Sequence, residues 1–126
     1  MKIVPLVLAA AALAAPATAQ EPPRFTLEQR MQLRCSAVFA LVAGEQQRGV
    51  ISAAAYPPLA ERGREYFART GAALMDDLKL PREQVEARMR AEAAALQKEA
   101  SEAPDRAAYI DSLMRPCLSA LEASGL

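Results

Sequence analysis

The sequence predicts an all-α fold, a small up-down four-helix bundle with one disulfide. Three observations carry this. Apolar residues recur at steps of three and four through four separate stretches. No stretch shows the period-two run of β-branched residues that marks a strand. The only two cysteines, Cys35 and Cys117, fall on the apolar stripes of the first and last stretches. A three-helix core with a peripheral third helix, or a domain that completes its core by dimerising, are the alternatives.

The chain opens on Met1-Lys2, an apolar run from Ile3 to Ala15, and Ala17-Thr18-Ala19 before Gln20. A charged start, an apolar core and a small-x-small site read as a cleavable signal peptide over residues 1–19. The run is shorter than the about 20 residues a membrane span needs, and Pro5 and Pro16 weaken a helical anchor. Residues 20–126 are then expected to form a single helical domain in the periplasm, with no stable membrane insertion.

Gln20 to Arg24 is a short extended leader. Thr26 and Gln29 are spaced as a capping box, so a first helix should run from there to about Gln47 and stop near Gly49. Its stripe is Leu27, Met31, Cys35, Val38 and Val42, widened by Phe39 and Leu41. Val50 to Pro58 is a connector, because Pro57-Pro58 forbids helix through Tyr56. Pro58 is suited to the first turn of a second helix reaching Leu78, with the stripe Leu59, Tyr66, Phe67, Leu74, Met75 and Leu78. Gly63 and Gly71 lie inside it, and each costs about 1 kcal/mol against Ala. Close helix contact or a tolerant solvent face would each account for them.

Pro81 would open a third helix to about Glu99, with a core face of Val85, Met89, Ala93 and Leu96. Rich in Ala and sparse in large side chains, it should be the most exposed and least tightly held. Glu86 with Arg90 and Arg88 with Glu92 are spaced as i,i+4 ion pairs. After a break over 101–103, Pro104-Asp105 opens a fourth helix with the stripe Ile110, Leu113, Met114, Cys117 and Leu121, and Pro116 inside it.

An even cysteine count in an exported chain favours a disulfide between Cys35 and Cys117. First and last helices of a bundle are neighbours, so the two thiols can meet. The pair lacks the C-x-x-C spacing of redox motifs, and two thiolates alone make a poor zinc site.

Composition excludes much chemistry. There is no His, so neither a Ser-His-Asp nor a Cys-His unit can be built, and no His-ligated metal or haem. Basic and acidic residues number 15 each, and losing Lys2 with the leader leaves one acid in excess. Such a chain carries no field for nucleic acid. Arg30 and Arg34, with Arg62, Arg64 and Arg69, would bind an anion if they converged, but the interleaved Glu61 and Glu65 read as a solvated face. Asp76-Asp77 lacks the further acids of a calcium loop. Glu61, Glu65, Glu83 and Glu86 have surface spacings that show no burial to tune an acid/base pair. Tyr56, Tyr66, Phe67 and Met75 read as core before they read as a ligand pocket. No catalytic, cofactor or metal residue is predicted.

The run Thr26 to Cys35 (TLEQRMQLRC), the segment Tyr56 to Gly63 (YPPLAERG) and the closing Pro116-Cys117-Leu118 resemble those of small secreted helical proteins of alphaproteobacteria. The resemblance implies compartment and helical form and carries no activity. In size and single-disulfide helical form the chain is also similar to periplasmic acid-stress chaperones and to helical immunity proteins. The expectation is a non-enzymatic periplasmic protein acting through a protein partner. A small apolar-ligand carrier and an acid-stress chaperone are the alternatives.

Overall fold

The structure is a computed structural model and describes residues 23–126. The expected leader, 1–19, lies outside the described residues. Among these, four α-helices form with no strand: α1 (Leu27–Gln47), α2 (Arg62–Leu78), α3 (Arg82–Glu102) and α4 (Arg106–Ala123). A 3-10 turn, Ile51–Ala55, occupies the connector after α1. Among the described residues no helix is long and apolar enough to cross a membrane.

α1 begins as its sequence specifies. Thr26 Oγ1 accepts from the Gln29 amide, and the Gln29 side chain accepts from the Thr26 amide. The helix is central, packed against α2, α3 and α4 alike. Leu33, Cys35, Val38, Phe39 and Val42 are buried all round it. Its expected stripe is corrected at one end: Leu27 is 70% and Met31 43% exposed, because no helix covers that turn. Three polar residues are buried instead, Gln29, Ser36 and Glu45. Each has a partner: Gln29 in the cap and on Asp77, Ser36 on the Gln32 carbonyl, Glu45 on Arg106.

α2 starts at Arg62, four residues later than Pro58 suggested. The reason is Gln46. Its Oε1 accepts from the Leu59 amide, and its Nε2 donates to the carbonyls of Ala53, Tyr56 and Pro57, which holds 57–59 extended. Gly63 then lies against α1, where a Cβ would come within 3.1 Å of Phe39 Cβ. Leu59, Tyr66 and Leu74 are buried as expected, whereas Phe67 is 41% exposed.

α3 starts one residue after Pro81 and runs on to Glu102. It ends where Pro104 forces Ala103 into extended backbone. It is not peripheral, for it packs against α1, α2 and α4. Its small Ala93 and Ala100 let the neighbours approach, and Val85, Met89, Leu96 and Ala100 are buried. The expected i,i+4 pairs do not form: Glu86 pairs with Arg82, Arg88 lies over the Phe25 ring, and Glu92 pairs with Arg34. Pro104 stays outside α4, and Asp105 is its N-cap, accepting from the Ala108 amide. α4 continues through Pro116, and Ile110, Met114, Cys117 and Leu121 are buried.

Cys35 and Cys117 are joined by a disulfide between α1 and α4, with Cα atoms 5.2 Å apart. α2 and α4 scarcely approach each other across α1. That divergence leaves a cleft between them.

Candidate functional site

A groove of about 400 Å³ runs between α1, α2 and α4. Its apolar lining is Met31 from α1, Tyr66 and Ala73 from α2, and Ala120 and Ala123 from α4. Leu27, one turn before Met31 on α1, extends the apolar strip out of the groove.

The rim is bridged by arginines of α2. Arg62 donates to the Glu122 carboxylate and to the main-chain oxygen of Leu126. Arg69 donates to Glu65 at 3.0 Å and to the Ser124 carbonyl at 3.3 Å. These arms join the first half of α2 to the end of α4 and the residues after it.

Two hydroxyls face the groove. Tyr66 is 7% and Thr70 5% exposed, and among the described residues neither hydroxyl has a hydrogen-bond partner. The Tyr66 ring is fixed edge-on to Phe39, with centroids 5.2 Å apart. Burial, and then the nearby Glu28 carboxylate, hold the Tyr66 phenol above its usual value. Glu28 and Gln32 of α1 complete the polar lining.

Two other clefts offer no free hydroxyl. Beside the 3-10 turn, about 530 Å³ is lined by Val50, Ile51, Tyr56 and Pro58, but the Tyr56 hydroxyl is bonded to Asp111 and the Gln46 amide is fully used. A smaller one, about 200 Å³, is lined by Phe39, Leu59, Gly63 and Phe67 and is almost wholly apolar.

The residues weighed in the sequence are mostly dispersed. Of Tyr56, Tyr66, Phe67 and Met75, only Tyr66 lines the groove; Met75 packs with Leu33, Leu74, Val85 and Met89. The five arginines do not converge. Arg34 bridges Glu92, Glu99 and Tyr109, while Arg30 and Arg64 line separate clefts. Asp77 accepts from Gln29, and among the described residues no three Cys, Asp or Glu cluster to hold a metal ion. Glu65 and Glu86 are held in helix-surface ion pairs. Reasoning from the sequence missed Thr70, Ala120 and Ala123. Their only signal was small size, whose meaning depends on where α4 ends.

No family model, curated protein or solved structure matches the chain.

Proposed function

We propose that the chain is an exported, non-enzymatic periplasmic protein that binds a protein partner through the groove between α1, α2 and α4. The carrying observation is Leu27 and Met31: two apolar side chains one turn apart, on the stripe of the central helix, left uncovered beside the groove. Such an elongated apolar strip suits an amphipathic helix laid into a groove. The disulfide supports the compartment, since such bonds persist in oxidising environments. The small secreted helical proteins that the sequence resembles point the same way.

The test places a photoactivatable phenylalanine analogue at Ala123 in cells that export the protein, with a second copy of the experiment at Lys98 on α3. A discrete covalent adduct from position 123 that disappears with Met31→Asp is the expected result. No adduct at 123, or the same adduct from both positions, would overturn the reading.

A small apolar-ligand carrier is the second reading, favoured by the volume, which lies within the roughly 300–1,000 Å³ of small-molecule sites. Native mass spectrometry of the protein purified from periplasm would then show a bound compound lost with Ala73→Phe.

A further inference from the structure

We propose that the groove recognises a primary ammonium group on an apolar stem, presented as a lysine side chain by an amphipathic helix of the partner. This rests on the docking reading above and adds its specificity.

The groove offers acceptors where an apolar occupant would need none. Tyr66 and Thr70 are more than nine-tenths buried and line the groove, and their hydroxyls, still open to solvent, have no partner among the described residues. An apolar occupant would cut them off from water unbonded, at about 1–3 kcal/mol each. A polar group that reaches them removes that cost. The sign of its charge is set by Glu28, which lines the same groove and forms no ion pair among the described residues. The positive charge on the opposite wall, Arg69, is already committed to Glu65 and to the Ser124 carbonyl. The partial positive charge at the start of α1 is roughly half an elementary charge, less than that of one ionised carboxylate.

An ammonium has three donors and no acceptor. Glu28, Tyr66 and either Thr70 or the Gln32 side-chain oxygen supply three acceptors. The alkyl stem of a lysine would lie along Met31, Ala120 and Ala123, its apolar length covered and its charged head at the polar lining. A carboxylate occupant would face Glu28 with like charge.

The test titrates n-octylammonium, n-octanol and n-octanoate, each below its aggregation concentration, into the oxidised protein labelled with ¹⁵N. Binding is followed at the Gln32 and Thr70 amides. Expected is weak binding of the ammonium, about ten-fold tighter than the alcohol because charge-assisted bonds are stronger, and no binding of octanoate. Glu28→Gln should bring ammonium and alcohol together, and Tyr66→Phe and Thr70→Val should each weaken the ammonium alone. Asp76→Asn, which removes an acid of α2 that lies outside the groove and forms no ion pair among the described residues, should change nothing.

Equal binding of ammonium and alcohol would overturn the proposal and leave the apolar docking groove standing. No binding of any probe would overturn both. An equal loss from Asp76→Asn and Glu28→Gln would reduce the preference to general surface charge and overturn the assignment. Ammonium binding tighter by several orders of magnitude than the alcohol would assign the groove to a free amine and overturn presentation by a helix.

Discussion

Gly63 of α2 faces Phe39 of α1 so closely that a methyl group on Gly63 would sit 3.1 Å from Phe39 Cβ and 3.7 Å from Leu59 Cβ. Phe39 is fully buried, and its Cβ is carried rigidly by the central helix. The contact sets how near α2 lies to α1, and so one wall of the groove.

A paired glycine substitution separates packing from helix propensity. Gly71, also inside α2, would place a Cβ 3.6 Å from the flexible Met89 Sδ, an ordinary contact. Gly71→Ala should therefore gain about 0.5–1 kcal/mol from helix propensity alone. Gly63→Ala has the same gain against an overpacking cost of roughly 1–3 kcal/mol, for a net loss of about 1 kcal/mol. Urea unfolding of both variants checks this. Shifts of equal sign and size would show that Gly63 is not a packing glycine.

Reduction of Cys35–Cys117 should be the largest single loss available to the fold. The bond closes a loop of sequence separation 82. By chain entropy such a loop contributes about 4.5 kcal/mol, against a typical domain total of 5–15 kcal/mol. Thermal unfolding with and without a phosphine reductant would measure it. An unchanged midpoint in fully reduced protein would remove the staple from the account of stability.

Local signals carried the start of α1 and the disulfide, because each depends on neighbours in sequence or on one pairing of stripes. The Thr26–Gln29 box is of that kind, and so are the stripes of α3 and α4. What failed depended on distant partners. Leu27 and Met31 have core spacing but no helix stands opposite them. Glu45 is buried only because Arg106, 61 residues away, reaches it. The start of α2 was displaced by a side chain of α1, Gln46. The groove follows from the divergence of α2 and α4, which no stripe encodes.

Gln46→Leu should release the segment between α1 and α2. One amide group makes four hydrogen bonds to backbone there, at 2.9 to 3.3 Å. A leucine of similar size keeps the packing and leaves the part-buried Leu59 amide and Tyr56 carbonyl unbonded. A loss of about 2 kcal/mol is expected on that ground. Amide hydrogen exchange supplies the specific readout. Leu59 should exchange faster than in the parent by more than the global loss explains, and Leu96 in α3 should follow the global loss alone. Uniform acceleration at both would assign Gln46 a role in overall stability only.

Arg34 of α1 donates to Glu92 and Glu99 of α3 and to Tyr109 of α4, and Tyr109 donates to Glu99. Hydrogen bonds from Arg34 and then Tyr109 hold the Glu99 carboxyl below the ordinary carboxylate value. A carboxylate depressed in the folded state adds stability above its unfolded value, near 4.3, and loses it as pH falls through the lower folded value. At the other end, burial and the bond to Glu99 raise the Tyr109 phenol above 10, so its contribution is complete below that and is lost as pH rises through the folded value. Glu99 is half exposed, so solvent screens the effect and a modest slope is expected. Urea midpoints of the parent should therefore fall between about pH 4.5 and 3, where those of Glu99→Gln change less, so the two curves converge on acidification. Because the cluster joins three helices, acid loosening of the kind a stress chaperone needs would begin here. Curves that stay parallel from neutral pH to pH 3 would show that Glu99 is a bystander and that acid acts on the fold elsewhere.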